Sequence, residues 1–235
     1  MLNIPNIQQA MSVFVAEELS EVLNTKVMIG RINIGLLNRI IIDDVLLDDQ
    51  SGQEMLKVTR LSAKFDIMPF FKGKISISSV QLFGFNINLR KETPDSPPNF
   101  KFVLDAFASK DTVKKENSLD LRINSILIRR GRMSYHVLSE EETPGKFNAK
   151  HIQLQNIIAN ISLKALSKDS LNLGIKRLSL DEKASGFSLK KMSLKLVANN
   201  KQTNIDNFTI ELPETSLKLD TIHLEYDSLK AFDRF

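Results

Sequence analysis

The histidines at 136, 151 and 223 are the side chains in this sequence best suited to bind a metal ion or to transfer a proton near neutral pH. They are far apart in the chain, match no metal-binding spacing and lack a nearby carboxylate motif. We therefore expect His136, His151 and His223 each to lie on a strand or loop that faces solvent. The sequence predicts no catalytic residue and no metal site.

The other charged motifs are two acidic pairs and one basic cluster. The acidic pairs at 43–44 and 48–49 lack the spacing of an EF-hand and lie beside a turn, which favours a solvated loop over a cation site. The basic cluster at 129–132 (RRGR) is consistent with a contact to phosphate or a lipid headgroup, but a solvated strand end is the simpler interpretation. No nucleotide-binding loop or serine-hydrolase motif is present. We expect a protein that is not an enzyme and that uses no cofactor.

Composition limits the classes of partner. The chain has 235 residues, of which 42% are hydrophobic and 26% charged, and its net charge is +4. Acidic and basic residues are interspersed, which argues against a nucleic-acid surface. The absence of cysteine excludes disulfides and thiolate metal sites. No apolar run is long enough to span a membrane.

Two segments have helical rather than strand periodicity. Residues 4–24 carry an apolar stripe that includes Phe14, Val15, Leu19 and Val22, and Asn24 is a plausible end of that helix. Residues 100–109 form a second, short pattern, followed by a polar linker at 110–118. We expect the first stripe to pack on a sheet. We also expect one elongated domain over 1–235, with a soft internal division around 92–118.

Most of the remaining chain repeats one pattern, and its clearest copy lies at 75–82. Apolar residues stand at offsets 0, 2, 5 and 7, so a regular strand would turn the second pair to the opposite face. A β-bulge that absorbs the extra residue keeps both pairs on one face. Regular alternation is expected to resume at Phe83, Phe85, Ile87 and Leu89. About ten such copies occur between turn signals, including one at Phe147, Ala149, Ile152 and Leu154.

This pattern predicts a mainly β fold, a long antiparallel meander with one apolar face. A sheet of about ten strands has to curl, split into layers or be covered. Two alternatives stay open on the residues alone. The sheet curls into a gutter (a taco-like shape) with an apolar interior filled by a ligand, or it closes into a β-sandwich with a dry core.

Several segments resemble the N-terminal part of the TamB family, within the AsmA-like group of Gram-negative bacteria. The resemblance is carried by an apolar-striped helix after NIPNIQ at 3–8 and by the strand KVMIGRINI at 26–34. It continues through LNRIIIDDVLLDD at 37–49, FFKGKISISSVQL at 70–82 and NFKFVLDAF at 99–107. It covers roughly the first 130 residues well.

The resemblance implies a periplasmic β-gutter that carries phospholipids between the inner and outer membranes. It also implies an inner-membrane anchor outside this chain and a link to outer-membrane protein assembly through a BamA-like partner, bound by regions that this chain lacks. The expected partners are therefore phospholipid acyl chains and the inner membrane, and nucleic acid is not expected.

From the strand pattern we expect ten residues to line the groove, with the N-terminal helix capping one end of it. These residues are Ile75, Ile77, Val80, Leu82, Ile123, Ile126, Ile128, Leu189, Met192 and Leu194. The alternative function is a scaffold or adhesion module in which the same residues form the dry core of a closed sandwich.

Overall fold

The computed structural model describes residues 5–35, 38–65, 75–108, 119–120, 124–166 and 170–226. These residues form one large sheet and two helices, so the predicted mainly β fold is confirmed. In chain order the elements are α1 Pro5–Leu23, β1 Val27–Gly35, β2 Arg39–Asp48, β3 Glu54–Phe65, β4 Ile75–Lys91, α2 Lys101–Ala108, β5 Leu119–Asp120, β6 Ser125–Val137, β7 His151–Leu166, β8 Ser170–Glu182, β9 Ser188–Asn199, β10 Gln202–Glu211 and β11 Ser216–Glu225.

The sheet follows the chain almost strand by strand, in the order β1-β2-β3-β4-β6-β7-β8-β9-β10-β11, and the two-residue β5 pairs with β4. Neighbours on this path are antiparallel except β4 and β6, which are parallel because the chain crosses over through α2 between them. The sheet is therefore mixed and mostly antiparallel, rather than a pure antiparallel meander.

The sheet is open. Among the described residues, each strand comes within 8 Å, measured between Cα atoms, only of the strands that pair with it. The strands β1 and β11 lie at opposite edges and do not pair with each other. The closed sandwich that the sequence left as an alternative is therefore wrong for this part of the chain, because no second layer of strands covers the first.

The first helix ends where Asn24 was expected to stop it. Asn24 is in the left-handed region, with φ at 48°. Its N–H donates to the carbonyl of Glu21 at 3.2 Å, and the N–H of Thr25 donates to the carbonyl of Ser20 at 3.1 Å. These two bonds form a Schellman motif, which satisfies carbonyls at the helix end and turns the chain into β1.

The apolar stripe of α1 packs on the sheet only in part. Leu19 and Leu23 pack with Val27, Leu47 and Met55 at the start of the sheet. Phe14 and Val22 were expected on the same buried stripe, but they are 62% and 38% exposed. The helix thus covers the beginning of the sheet with its last two turns, and it presents apolar side chains to solvent as well. None of the helices in the described part of the chain is long and apolar enough to cross a membrane.

The short helix α2 packs against the same corner. Phe100, Phe102, Val103 and Ala106 contact the cluster around Leu23 and Val27. Leu104, expected on the packed side, is 59% exposed. Together the two helices cover one corner of the sheet.

The bulge expected within 75–82 is present. Ser79 pairs with Lys64, but the next pair joins Ile77 to Phe65, so Ser78 is the extra residue on β4. The alternation expected downstream is wrong at Phe83, although Phe85 and Ile87 do share one face. Phe83 is 39% exposed whereas Phe85 is 7% exposed. Gly84, between them, has φ at 64°, and this left-handed residue reverses the alternation.

A left-handed residue at this position recurs in other strands. In each case it immediately precedes the third position of an 0-2-5-7 pattern, and this position is apolar except on β6, where it is Gly131. The residues are Asp44 on β2, Gly84 on β4, Arg130 on β6, Asn156 on β7 and Asn207 on β10. On β4, β6 and β7 the 0-2-5-7 patterns that contain this left-handed residue start at Val80, Ile126 and Ile152. The copy expected from Phe147 is wrong, because Phe147 lies in the loop before β7 and is 64% exposed.

Both apolar pairs of these strands lie on one face of the sheet. On β4, Leu82 and Ile87 flank the left-handed residue and pack against the same cluster as Phe85. On β6, Ile128 and Met133 do the same. The left-handed residue therefore achieves what the sequence pattern required, and the sheet has one continuous apolar face.

A substitution series at Asn207 tests this role. Asn207 is exposed, with φ at 54°, so its conformation rather than its contacts determines the effect. A left-handed conformation costs a β-branched residue about 1–2 kcal/mol. We expect Asn207→Val to lower the free energy of unfolding in urea by about that amount, and Asn207→Gly to change it little.

The control is Lys195→Val on β9, an exposed residue of a strand that has no positive φ. It should not be destabilised, because a β-branched residue suits an extended strand. An Asn207→Val protein as stable as the unsubstituted chain contradicts the assignment.

Candidate functional site

An unbroken row of apolar residues crosses the sheet from β1 to β11. Each member is the register partner of the next, and directly opposed residues of neighbouring strands point to the same face. The row consists of Ile32, Ile42, Leu61, Leu82, Ile128, Ala159, Leu178, Met192, Ile210 and Leu217. Nine interstrand steps of about 4.8 Å give the row a length of about 43 Å along the sheet.

A second row runs beside the first from β2 to β9, again through register partners. It consists of Ile40, Ala63, Val80, Ile126, Ile161, Ile175 and Leu194. On the far strands Leu173, Leu196, Ile205 and Ile222 extend the same apolar surface. We call the surface formed by these rows the apolar face.

Most of the expected groove residues fall on this face. Leu82, Ile128 and Met192 belong to the first row, and Val80, Ile126 and Leu194 belong to the second. Leu189 is half-buried and pairs with Leu180, which packs against the central cluster. The structure therefore brings seven of the ten expected residues together.

The other three residues cannot be placed on the face. Ile75 and Ile77 lie in β4, but their side chains are outside the described part of the chain. Ile123 lies outside the described residues. The sequence interpretation also missed members of the rows, among them Ala159, Leu178 and Ile210, which the turn-bounded apolar pattern of β7, β8 and β10 could have supplied.

Exposure changes along the first row. Ile32 and Ala159 are 6% and 2% exposed, most of the members between are half-buried, and Leu217 is 47% exposed. The helices α1 and α2 pack only at the β1–β3 corner. The side chains of a half-buried apolar row contact neighbouring strands, but part of their surface stays accessible to solvent. Such a surface leaves room for an apolar ligand.

The centre of the face is held by one tight contact. Val58, Phe85 and Ile157 are buried together, although β4 and β7 are separated by β6. The intervening residue is Gly131, where a Cβ atom would lie 2.4 Å from the Phe85 ring and 3.0 Å from Ile157. The missing side chain therefore lets the Phe85 ring lie across β6 and join three strands.

The opposite face is mostly polar, although Met28, Phe83 and Val197 are exposed on it. Arg60 and Asp43 form a two-pronged ion pair there, with Nε to Oδ1 at 2.6 Å and Nη2 to Oδ2 at 3.2 Å. The guanidinium of Arg130 lies 5.1 Å from the centre of the exposed Phe83 ring. The basic cluster at 129–132 therefore lies within β6 rather than at a strand end. One side of the sheet faces water, and the other presents the apolar rows.

A buried carboxylate anchors the covered corner. Asp49 is 2% exposed and forms an ion pair with Arg90, Nη2 to Oδ2 at 2.6 Å. Its carboxylate also accepts hydrogen bonds from Ser51, Gln53 and Asn99. Burial raises the pKa of Asp49, but these hydrogen bonds lower it by more, so the pKa lies below its ordinary value. The acidic pair at 48–49 is thus not a solvated loop, because Asp49 organises the turn into β3.

A second buried carboxylate closes the turn between β8 and β9. Glu182 is 2% exposed and accepts hydrogen bonds from the N–H groups of Gln153 at 3.1 Å, Ala184 at 3.1 Å and Ser185 at 2.7 Å. The hydroxyl of Ser185 donates to it as well. Burial opposes ionisation, but the hydrogen bonds outweigh it and lower the pKa of Glu182 to about 2.

The expectation that each histidine faces solvent is wrong for His151. His136 and His151 are register partners on β6 and β7, and their Nδ1 atoms are 3.0 Å apart. His151 is 7% exposed rather than solvent-facing. His223 is exposed on β11, as expected. The first two histidines meet because they lie on the two strands that flank one loop. Their separation in the sequence gave no indication of this pairing.

Comparison with known proteins adds no identification, because no family model and no curated protein matches this chain.

Acid titration tests the Glu182 network. A carboxylate whose pKa is lowered in the folded state stabilises the protein at pH values above its ordinary pKa, here 4.5. This stabilisation is lost as the pH falls towards the folded pKa of about 2. The shift corresponds to about 3 kcal/mol. We expect Glu182→Gln to lower the free energy of unfolding at pH 7 by about 1–3 kcal/mol, because the amide places a donor against backbone donors. This deficit should shrink between pH 4.5 and pH 2.

Unfolding in urea at several pH values measures the difference, and Glu214→Gln, at an exposed turn residue, is the matched control. A deficit for Glu182→Gln that stays constant from pH 7 to pH 2 contradicts the role assigned to the carboxylate.

Proposed function

We propose that this chain is a non-enzymatic segment of an envelope-biogenesis protein whose apolar face carries phospholipid acyl chains between the inner and outer membranes. The observation that supports this most directly is the ten-strand apolar row, half-buried along most of its length. A transport surface needs continuity along its path, and every step of the row is an apolar register pair.

The energetics suit an acyl chain. Burying hydrocarbon contributes about 0.8 kcal/mol per methylene, so one long tail gains on the order of 10 kcal/mol without a hydrogen bond. The row stays aliphatic and half-buried from Leu61 through Leu82 to Ile128. Transfer along such a path needs no reacting group.

The resemblance to the TamB family supplies the setting of the proposal. It motivates a periplasmic location, attachment to the inner membrane through a segment outside this chain, and passage of lipid towards the outer membrane. The open sheet supports this setting because a groove has to admit and release its cargo along its length.

Site-specific crosslinking tests the proposal, and the absence of cysteine from the chain leaves no background labelling. Leu194 and Lys195 are neighbours on β9 that point to opposite faces, the first half-buried on the apolar face and the second exposed. Benzophenone maleimide is attached to Leu194→Cys or to Lys195→Cys. Each protein is then irradiated with vesicles of phosphatidylethanolamine and phosphatidylglycerol that contain a radiolabelled phospholipid.

We expect labelled lipid on the protein from position 194 and at least tenfold less from position 195, because only the first probe shares the apolar face with a bound tail. Circular dichroism of both labelled proteins checks that each stays folded. Equal labelling at the two positions, or none at either, contradicts a lipid-carrying apolar face.

A second candidate function is assembly of outer-membrane proteins, and the edge of the sheet favours it. Within the described residues β11 pairs only with β10, and Leu217, Leu219 and Leu224 are 47%, 39% and 50% exposed. An open edge of this kind can add a strand from another chain. Crosslinks from β11 to outer-membrane proteins in isolated envelopes, without lipid labelling from position 194, would favour this function over lipid transfer.

A further inference from the structure

The loop that joins β6 to β7 brings two histidines and a carboxylate together, away from the apolar face. His136 near the end of β6 and His151 at the start of β7 are register partners, and Glu142 lies in the loop between them. The Nδ1 atoms of the two histidines are 3.0 Å apart, and Oε1 of Glu142 is 3.7 Å from Nδ1 of His136. The three potential ligand atoms lie within 4.8 Å of one another.

The second nitrogen of His151 determines which atom is free to bind. Its Nε2 lies 2.9 Å from the carbonyl oxygen of Glu140, and only a protonated nitrogen can donate to a carbonyl. In the neutral ring Nδ1 therefore carries a lone pair, and this lone pair points at His136. A ligand histidine whose other N–H is held by a carbonyl is the usual arrangement around protein-bound metals.

We propose that His136, Glu142 and His151 form a binding site for a divalent transition-metal ion, with Zn²⁺ as the best fit. Tetrahedral zinc with nitrogen ligands at 2.0–2.1 Å separates two such nitrogens by about 3.3 Å, close to the spacing observed here. Two imidazoles and one carboxylate are a known zinc donor set that leaves the fourth position open.

The surroundings suit this ion. His151 is 7% exposed, so one ligand is held in place by packing, whereas Glu142 is exposed and free to close on the metal. The nearby ammonium of Lys150 forms an ion pair with Glu140, Nζ to Oε2 at 2.6 Å, so its charge is partly offset. A cleft of about 260 Å³ adjoins the site and is lined in part by Glu142 and His151.

A bound ion ties the β6–β7 loop to the strands on both sides of it. Two ligands belong to paired strands and the third to the loop that joins them, so the metal closes a ring of backbone at this end of the sheet. Binding of the ion does not depend on lipid at the apolar face.

Calorimetric titration of the metal-stripped full chain with Zn²⁺ tests the proposal. We expect saturable binding of one ion per chain with a dissociation constant in the micromolar range or below, together with a rise in melting temperature. His136→Gln and Glu142→Gln alter half-buried and exposed residues, so both proteins should fold, and each should bind zinc at least tenfold more weakly. With Co²⁺ in place of Zn²⁺, the unsubstituted chain should show visible absorption typical of tetrahedral coordination, which is lost in both variants.

The matched control is His223→Gln, because His223 is an exposed histidine that also contacts a carboxylate, Glu225, at 3.0 Å. It should bind zinc as the unsubstituted chain does. Absence of saturable binding overturns the proposal, and so does an equal loss of affinity in His223→Gln and His136→Gln.

Discussion

Each long strand carries two apolar pairs separated by two residues, and the fold requires both pairs to lie on the same face of the sheet. A regular strand cannot do this, because its side chains alternate with a period of two. Five of the described strands contain a left-handed residue just before the second pair, as at Gly84 on β4 and Asn207 on β10. Neighbouring strands such as β3 and β4 keep their register across this position, since Arg60 pairs with Phe83 and Val58 with Phe85. From β1 to β6 the change of face leaves the pairing intact, whereas each strand pair from β6–β7 to β9–β10 shifts its register there.

An open sheet of this kind buries its apolar face only in part. The helices cover one corner, and the contact of Phe85 with Ile157 over Gly131 consolidates the centre. Beyond these two regions the apolar rows are held by pairing to neighbouring strands and are half-buried. Polar groups secure the strand ends instead, through the buried carboxylates of Asp49 and Glu182, which organise two of the turns. Among the described residues, no second layer of strands covers the remaining apolar surface.

The fold class could be predicted from sequence because it depends on a pattern repeated along the chain. The change from helical to strand periodicity after Asn24 and the bulge at Ser78 were both readable from residue types and spacing. The positions of the left-handed residues were not. Asp44 and Asn207 are residue types that tolerate this conformation, but Arg130 is not, and the pattern allowed more than one alignment of the pairs. The pattern therefore found the right strands and the bulge on β4, but on β7 it placed the change of face five residues too early.

The histidine cluster shows a different limit. Whether His136 and His151 meet depends on the register of β6 with β7 and on the length of the loop between them. Periodicity determines which face a residue takes, but it says nothing about which residue of the next strand stands opposite. The same limit explains the missed row members Ala159 and Leu178, which only the strand register places between Ile128 and Met192.

Native mass spectrometry of the chain, purified from a bacterial envelope without detergent, shows whether the apolar face holds lipid. We predict mass increments that correspond to one or more phospholipids per chain, and their displacement by added free fatty acid. Spectra that contain only the mass of the bare polypeptide, before and after incubation with phospholipid vesicles, would contradict this prediction.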